Sequence, residues 1–264
     1  MWTRLPKSIQ RRASWWLSRR ACQIRPTSPI ISFTFDDFPR SALLTGGAIL
    51  QKHGCVGTYY TSLGLMGKMT SSGQIFERED LDELMQNQHE IACHTFDHFD
   101  SWNTEPADFD VSVQRNQQKL AELLPTARFS TFSYPLSWPR PQTKRRIARH
   151  YQCARGAGQT FNLGTTDLNY LKAFFIEQSR ENFDVISSVI DENARARGWL
   201  IFATHDVCDS PTRFGCTPAL FERVVNYSVR SGAMILPVNA ALERARQKVG
   251  QTLQLAVPEN AQLR

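Results

Sequence analysis

Apolar and polar positions along the chain fall into two alternating patterns. Short runs rich in β-branched and aromatic residues recur at 30–35, 55–61, 90–94, 130–134, 152–155, 171–176, 200–204 and 233–236, and each reads as a strand. Between them, apolar residues at helical spacing predict helices near 41–53, 77–87, 108–124, 140–150, 182–197, 217–231 and 238–248. Strands that alternate with helices over most of a chain imply parallel βα units. Seven or eight such units without an intervening linker favour a closed (β/α) barrel over an open sheet.

A barrel of this kind collects its chemistry at the carboxyl ends of its strands. The run Ile30-Ile31-Ser32-Phe33-Thr34-Phe35 stops at Asp36-Asp37. Two carboxylates beside buried residues are costly unless they bind or react with something. Side chains alternate faces along a strand, so the two acids should do different jobs, one on a metal and one on a proton. For the dipeptide alone, an ordinary Asp-rich turn before Phe38-Pro39 is the plainer reading. The next acid-bearing strand, Glu90-Ile91-Ala92-Cys93, closes on His94-Thr95-Phe96-Asp97-His98. Histidines at i and i+4 share one face of a helical turn and can reach one ion. With an Asp they make a recurring catalytic set that leaves positions for water. The candidate at 130–134 ends in Tyr134-Pro135, where the Tyr134 amide faces a developing oxyanion. The run Trp199-Leu200-Ile201-Phe202-Ala203-Thr204 ends in His205, a side chain suited to general acid work. Each feature has a structural explanation taken singly. Four polar strand ends together point to a site.

Charge separates one end from the rest. Of the 31 basic residues, seven (Arg4, Lys7, Arg11, Arg12, Arg19, Arg20, Arg25) lie within residues 1–25, which hold no acid. The remaining 24 face 25 acidic residues, so the body is close to neutral and lacks the basic face that nucleic-acid binding requires. Ile9, Ala13, Trp16 and Leu17 fall on one side of a possible helix, which with the basic residues suits a membrane surface. An arm that packs on its own domain, and an Arg-rich transit peptide, are the other readings. No continuous apolar region of a secretory signal and no stretch of about 18 apolar residues is present. The six cysteines form no CxxC pair and are expected as free thiols in a reducing, cytoplasmic compartment.

Taken in order, Thr-Phe-Asp-Asp at 34–37, His-Thr-x-x-His at 94–98, Phe-x-Tyr-Pro at 132–135 and Thr-His at 204–205 resemble the polysaccharide deacetylase family. This family is also called carbohydrate esterase family four or the NodB homology domain. The resemblance spans about residues 28–240 and implies a distorted, TIM-like α/β barrel of seven to eight (β/α) units. It implies a divalent metal, zinc above all and otherwise cobalt, manganese or nickel, on Asp37, His94 and His98. Asp36 resembles the catalytic base and His205 the general acid. The family's base-orienting arginine has its stand-in in Arg155, within Cys153-Ala154-Arg155-Gly156. For the Asp that tunes the acid, Asp167 and Asp206 are the candidates. Phe38, Trp102, Trp138 and Tyr134 are candidates for sugar contact.

The implied reaction is removal of acetyl groups from an N-acetylated glycan or glycolipid by water. An O-acetyl esterase on xylan-like glycans and a silent sugar-binding member are the alternatives. The expected organisation is a basic arm at 1–27, the barrel at 28–248 and a tail at 249–264, with membrane contact, if any, through residues 1–25.

Overall fold

The computed structural model describes residues 14–246. Its chain order begins with β1 (Ala21–Ile24), β2 (Ile30–Phe35), a wide helical turn (Ala42–Gly47) running into α1 (Ala48–Lys52), and β3 (Thr58–Thr61). A small hairpin follows, β4 (Met69–Thr70) and β5 (Gly73–Gln74), then α2 (Arg78–Gln86), β6 (Glu90–Cys93), α3 (Pro106–Leu123) and β7 (Thr131–Ser133). Next come α4 (Pro141–Ile147), β8 (Cys153–Arg155), β9 (Gly164–Asp167), β10 (Phe174–Phe175), α5 (Phe183–Ala196) and β11 (Trp199–Thr204). The series ends with α6 (Pro218–Arg230), β12 (Met234–Ile235) and α7 (Val238–Ala245).

Seven strands form a curled parallel sheet in the order β10-β11-β2-β3-β6-β7-β8, with β12 a short parallel addition to β2. All eight expected strands and all seven expected helices are present, several of them shorter than the pattern suggested. Pro at the first turn of α3, α4 and α6 marks their starts, where a missing N–H costs nothing. The two outer strands do not pair directly. Arg155 bridges Leu171, and the Gly156 and Gln159 amides donate to Leu171 and Ala173 at 3.0 and 2.9 Å. This irregular seam, in place of an eighth full strand, makes the barrel distorted.

The central strand β2 pairs with β11 along its full length and is buried on both faces. Ile31, Phe33 and Phe35 face the layer of helices, packing with Phe202, Phe221 and Val224. Ile30 faces the interior with Trp199, Ile201 and Ala203, and α7 plugs that end through Val238, Ala241, Leu242 and Ala245. Two interior polar side chains on these strands are paired. Ser32 accepts the Trp199 indole N–H at 3.0 Å, and buried Glu90 accepts from Thr58, Thr131 and the Asn239 amide at 2.8, 2.6 and 3.0 Å. That last contact sets a carboxyl at the N-terminus of α7, where aligned peptide dipoles favour it.

Two pairings were not expected. β1 lies within the stretch assigned to the arm yet pairs antiparallel with β9, from Ala21 opposite Asp167 to Ile24 opposite Gly164. From Ser14 onward the arm is held on the body: buried Lys144 donates to the Ser14 and Leu17 carbonyls at 3.1 and 2.9 Å and to Asp167 at 2.7 Å. Arg20 donates to the Ala148, Tyr151 and Gln152 carbonyls. Ile9, Ala13 and the tail at 249–264 lie outside the described residues. All six cysteines are free.

The Lys144–Asp167 pair gives a direct test of this anchoring. Lys144→Ala leaves Asp167, with only 7 % of its side chain exposed, without its cation. Removing one partner of a buried pair costs about 3–5 kcal/mol, so the variant should lose roughly that much in urea unfolding. A loss within about 0.5 kcal/mol, the size of an exposed pair, would mean that the anchor contributes little.

Candidate active site

Asp36, Asp37, His94, His98, Tyr134, Arg155 and His205 all lie at or just past strand tips at one end of the barrel. Past Phe35 the chain leaves the sheet and Asp36 and Asp37 diverge. The Asp36 amide still donates to the Thr204 carbonyl at 2.9 Å, while its carboxylate meets the Arg155 guanidinium in a fully buried ion pair. Arg155 comes from the tip of β8, across the interior, with its guanidinium 4.7 Å from the Tyr60 ring centroid and 5.7 Å from that of Phe175. Burial alone would raise the Asp36 carboxyl. Arg155, helped by His94 and His205, holds it below the ordinary carboxylate range.

Asp37 turns the other way. Its Oδ1 lies 3.4 Å from His94 Nε2 and 3.0 Å from His98 Nε2, and its Oδ2 accepts the Ser72 hydroxyl at 2.6 Å. Burial opposes ionisation here too, but the two imidazoles hold the carboxyl well below its usual range. His98 moves the opposite way: burial lowers it, and Asp37 more than compensates.

One detail bears on a metal. His94 Nδ1 lies 2.8 Å from the Ser133 carbonyl, which can only accept, so Nδ1 carries the proton. In the neutral ring Nε2 is then a lone pair aimed at the Asp37 carboxylate, and Asp37 Oδ1 is buried without a hydrogen-bond donor. Lone pairs facing one another call for a cation between them. The ligand atoms of Asp37, His94 and His98 lie within 4.8 Å of one another, and two imidazoles with one carboxylate suit a divalent ion. The residues fit the group. The Nδ1 contact to a carbonyl is the usual way a ligating histidine is oriented.

The histidines do not share a helical turn as their spacing suggested. The segment is a loop in which Thr95 and His98 both adopt left-handed φ, 63° and 53°. Hydrogen bonds from Ser112 to Asp97, and from the Phe96 and Asp97 amides to Ser112, pin it on α3. Asp37 and Phe38 are left-handed as well, at 61° and 56°. Such backbone costs about 1 kcal/mol or more per residue and persists where the surroundings hold it.

His205 follows β11 level with Asp36 across the β11–β2 register, which pairs Thr204 with Phe35. Its Nδ1 lies 3.2 Å from the Phe214 carbonyl, and Nε2 has no hydrogen-bond partner among the described residues. Neither expected tuning acid reaches it. Asp167 is spent on Lys144 and on the Arg20 and Asn169 amides, outside the barrel interior. Asp206 accepts from the Thr212 amide and hydroxyl at 2.7 and 2.6 Å and folds the 206–216 loop, with Gly215 so close that a Cβ there would lie 2.3 Å from Asp206. A backbone carbonyl orients this histidine, which no side-chain motif could have revealed.

The Tyr134 expectation is also corrected. Its amide donates to the Arg155 carbonyl at 3.1 Å and its hydroxyl to the Asn169 carbonyl, so neither is available to a ligand. Tyr134-Pro135-Leu136-Ser137 is a turn closed by Ser137 N–H to Tyr134 O at 2.9 Å, with Pro second and left-handed Leu136 (φ 58°) third, the pattern of a type II turn. The Pro135 carbonyl accepts the Ser101 hydroxyl at 2.7 Å, so the Leu136 N–H in the same planar peptide points away from it, with no acceptor among the described residues. Of the aromatic candidates, Phe38 is buried against Tyr59 and Phe76, and Trp102 is 5 % exposed. Trp138 is half-buried, with the Trp15 ring stacked parallel to it at 5.6 Å.

Two groups escaped sequence reading. Ser72, which holds Asp37, sits in the β4–β5 turn and carries no signal. Glu177 ends the run Phe174-Phe175-Ile176, and the β10–β11 register sets it level with His205. Its Oε2 is buried without a partner, and burial, with Asp36 and Asp206 adding repulsion, pushes it up to about 8. A strand-tip acid was the signal that found Asp36 and could have found this one.

Residues 23–154 match a family model described as polysaccharide deacetylase. Among solved structures, the chain is similar to a family 4 carbohydrate esterase from Streptomyces lividans in complex with acetate, with a TM-score of 0.55 and 15% identity over 80% of this chain and 93% of that one. It is similar to the Xyl-CE4 domain of a multidomain xylanase from the hindgut metagenome of Trinervitermes trinervoides (TM-score 0.57, 15% identity, 83% and 91% covered). A CE4 family pseudoenzyme from Bacillus anthracis is similar to it as well (0.57, 11%, 84% and 68%). At these identities the likeness is one of fold. No curated protein matches the sequence.

The Arg155–Asp36 pair can be tested without knowing a substrate. In Arg155→Met, burial acts on Asp36 unopposed by its guanidinium, and its carboxyl should titrate about 1–3 pH units higher, read by carboxyl carbon NMR. An unchanged titration would mean that another group keeps Asp36 ionised.

Proposed function

The chain belongs to the polysaccharide deacetylase family, and from that premise we propose that it is a metal-dependent hydrolase removing acetyl groups from N-acetylated sugars. The observation that carries this reading is the set formed by Asp37, His94 and His98 beside a separately ionised Asp36, with His205 across from it. Binding a sugar needs neither base nor acid, so their joint presence favours catalysis over a silent scaffold.

A divalent ion on Asp37, His94 and His98, zinc by the donor set or otherwise cobalt, manganese or nickel, supplies Lewis acidity that polarises the acetyl carbonyl and acidifies water. Asp36 is the base: Arg155 keeps it ionised and fixes the oxygen that remains free to take the proton of the attacking water. The Leu136 N–H is the amide donor at this end of the barrel for charge building on the carbonyl oxygen, the part first assigned to Tyr134. His205, with Nδ1 committed to Phe214, gives its Nε2 proton to the departing nitrogen. An amine leaves poorly unless protonated, so this transfer is needed for the carbon–nitrogen bond to break.

The test is acetate release from N-acetylglucosamine oligomers by the full chain, before and after chelation and with zinc restored. Release that stops with chelator and returns with zinc is the expected result. Release from acetyl-xylan alone would move the reading to O-deacetylation. Metal bound at one ion per chain with no release from either would favour the silent alternative.

For His205, His205→Ala should lower kcat by about 10²–10⁴-fold while one zinc still binds per chain. If KM rose and kcat held, the role as acid would be wrong.

A further inference from the structure

On the outer side of the barrel wall, a cavity of about 580 Å³ lies between residues 15–19 and the segment 157–172. It includes none of the metal, base or acid positions. Trp15, Trp16, Phe161 and Tyr170 give it aromatic walls, while Arg19 and Lys172 bring positive charge. Asp167, the one acid lining it among the described residues, is already matched by Lys144 at 2.7 Å.

The rim is unusual for a soluble surface. Trp16 is 73 % exposed, and Trp15, Leu17 and Leu163 are exposed at 42 %, 42 % and 43 %. Single exposed apolar side chains are ordinary, but three in succession beside a fourth make a patch. The three in succession sit in the stretch of residues 1–25 that carries seven basic residues and no acid, on a body close to neutral. Arg19 lies over the Trp16 ring at 5.4 Å. Exposed tryptophan, exposed leucine and unopposed basic charge are the chemistry of the lipid headgroup region. A sugar is the less suited occupant: one face of Trp15 is already stacked on Trp138, with the planes 3° apart.

We propose that this face docks on an anionic lipid bilayer. Trp16, Leu17 and Leu163 enter the headgroup region, and Arg19 and Lys172 meet lipid phosphates, with the basic residues before Ser14 adding attraction. The patch is tied to the catalytic end. Trp15 stacks on Trp138, and Tyr170 donates to the Ser137 carbonyl at 2.7 Å; both partners belong to the loop after β7 that carries Leu136. Docking therefore brings the mouth of the site to the membrane surface. If the deacetylase reading holds, and this consequence rests on it, the substrate class is a glycan carried on a lipid phosphate.

The test is cosedimentation of the full chain with vesicles of phosphatidylcholine alone or with about one-third phosphatidylglycerol, at low and high salt. The docking requires binding to the anionic vesicles only, weakened by salt. Trp16→Ala combined with Leu163→Ser should weaken it about tenfold or more, since each side chain leaves apolar contact. Arg19→Glu should weaken it further, by about fivefold or more for the reversed charge. Acetate release from soluble oligomers should be unchanged in both variants, neither of which touches the catalytic groups. Equal binding to neutral vesicles, no binding, or binding indifferent to these substitutions would each overturn the docking. So would tryptophan quenching by soluble oligomers that these variants abolish while vesicles stay unbound. Vesicle binding by a chain that releases no acetate would leave the docking standing and sink the deacetylase reading instead.

Discussion

The constraint on which the site depends is the buried ion pair between Arg155 and Asp36. Both side chains are almost wholly removed from water, at 1 % and 6 % exposure, so each charge would be costly without the other. The pair joins the tip of β8 to the tip of β2, an end strand of the sheet to its middle, level with the cluster of Asp37, His94 and His98. Arg155 can hold that position because its guanidinium also lies over the Tyr60 and Phe175 rings, whose faces attract a cation. Its own backbone is fixed by the seam to Leu171 and by the carbonyl that accepts from Tyr134. The distorted closure of the barrel and the ionisation of Asp36 are therefore one structural fact. An arginine donated from β8 can serve as counter-ion only because the seam brings β8 round to face β2.

Around this pair the backbone is under local strain. Asp37, Phe38, Thr95, His98 and Leu136 all hold left-handed φ without being glycine. Four of the five are explained by what they aim. Left-handed Asp37 sends its carboxylate away from Asp36, whereas a continued strand would have kept the two in simple alternation. Left-handed Thr95 and His98 fold His98 back over His94, bringing the ring centroids to 5.1 Å. Left-handed Leu136 reverses the chain after β7 and leaves its amide open. The stabilising contacts lie outside the site: Ser112 on α3, Ser101 on the Pro135 carbonyl, and Ser72 on Asp37. Rigid elements thus hold loops in conformations that the loops alone would leave.

How much of this could be read from the chain follows from what kind of signal each feature leaves. The barrel was legible because alternation of buried strands with amphipathic helices is a property of long stretches. That Asp36, Asp37, His94, His98, Arg155 and His205 gather at one end was legible because polar residues ending apolar runs stand out against them. What failed depends on three-dimensional bookkeeping. The Tyr134 amide looks available until its acceptor, Arg155 O, is known, and Asp167 looks like a tuning acid until β9 is found pairing with β1 beside Lys144. The partner of His205 is a carbonyl, and carbonyls are the same in every residue. Helical spacing suggested how His94 and His98 converge, but a loop with two left-handed residues achieves the same convergence by another path.

Charge balance ties these pieces together. Arg155 is the one fixed cation paired with a carboxylate inside the site among the described residues, and Asp36 consumes it. Asp37 is held ionised only by imidazoles, one of which already gives its Nδ1 proton to Ser133. A third carboxyl at the same end, Glu177, has no cation left to pair with, and it responds as a buried acid near like charges must, by keeping its proton to about pH 8. The site therefore accommodates a first negative charge through a built-in guanidinium. It accommodates a second beside two imidazoles, a donor set that suits a divalent ion. The third is accommodated only as the neutral acid. Glu177 is repelled by Asp36, and Asp36 in turn by Asp37, so the three carboxyls form one electrostatic unit, not three independent residues.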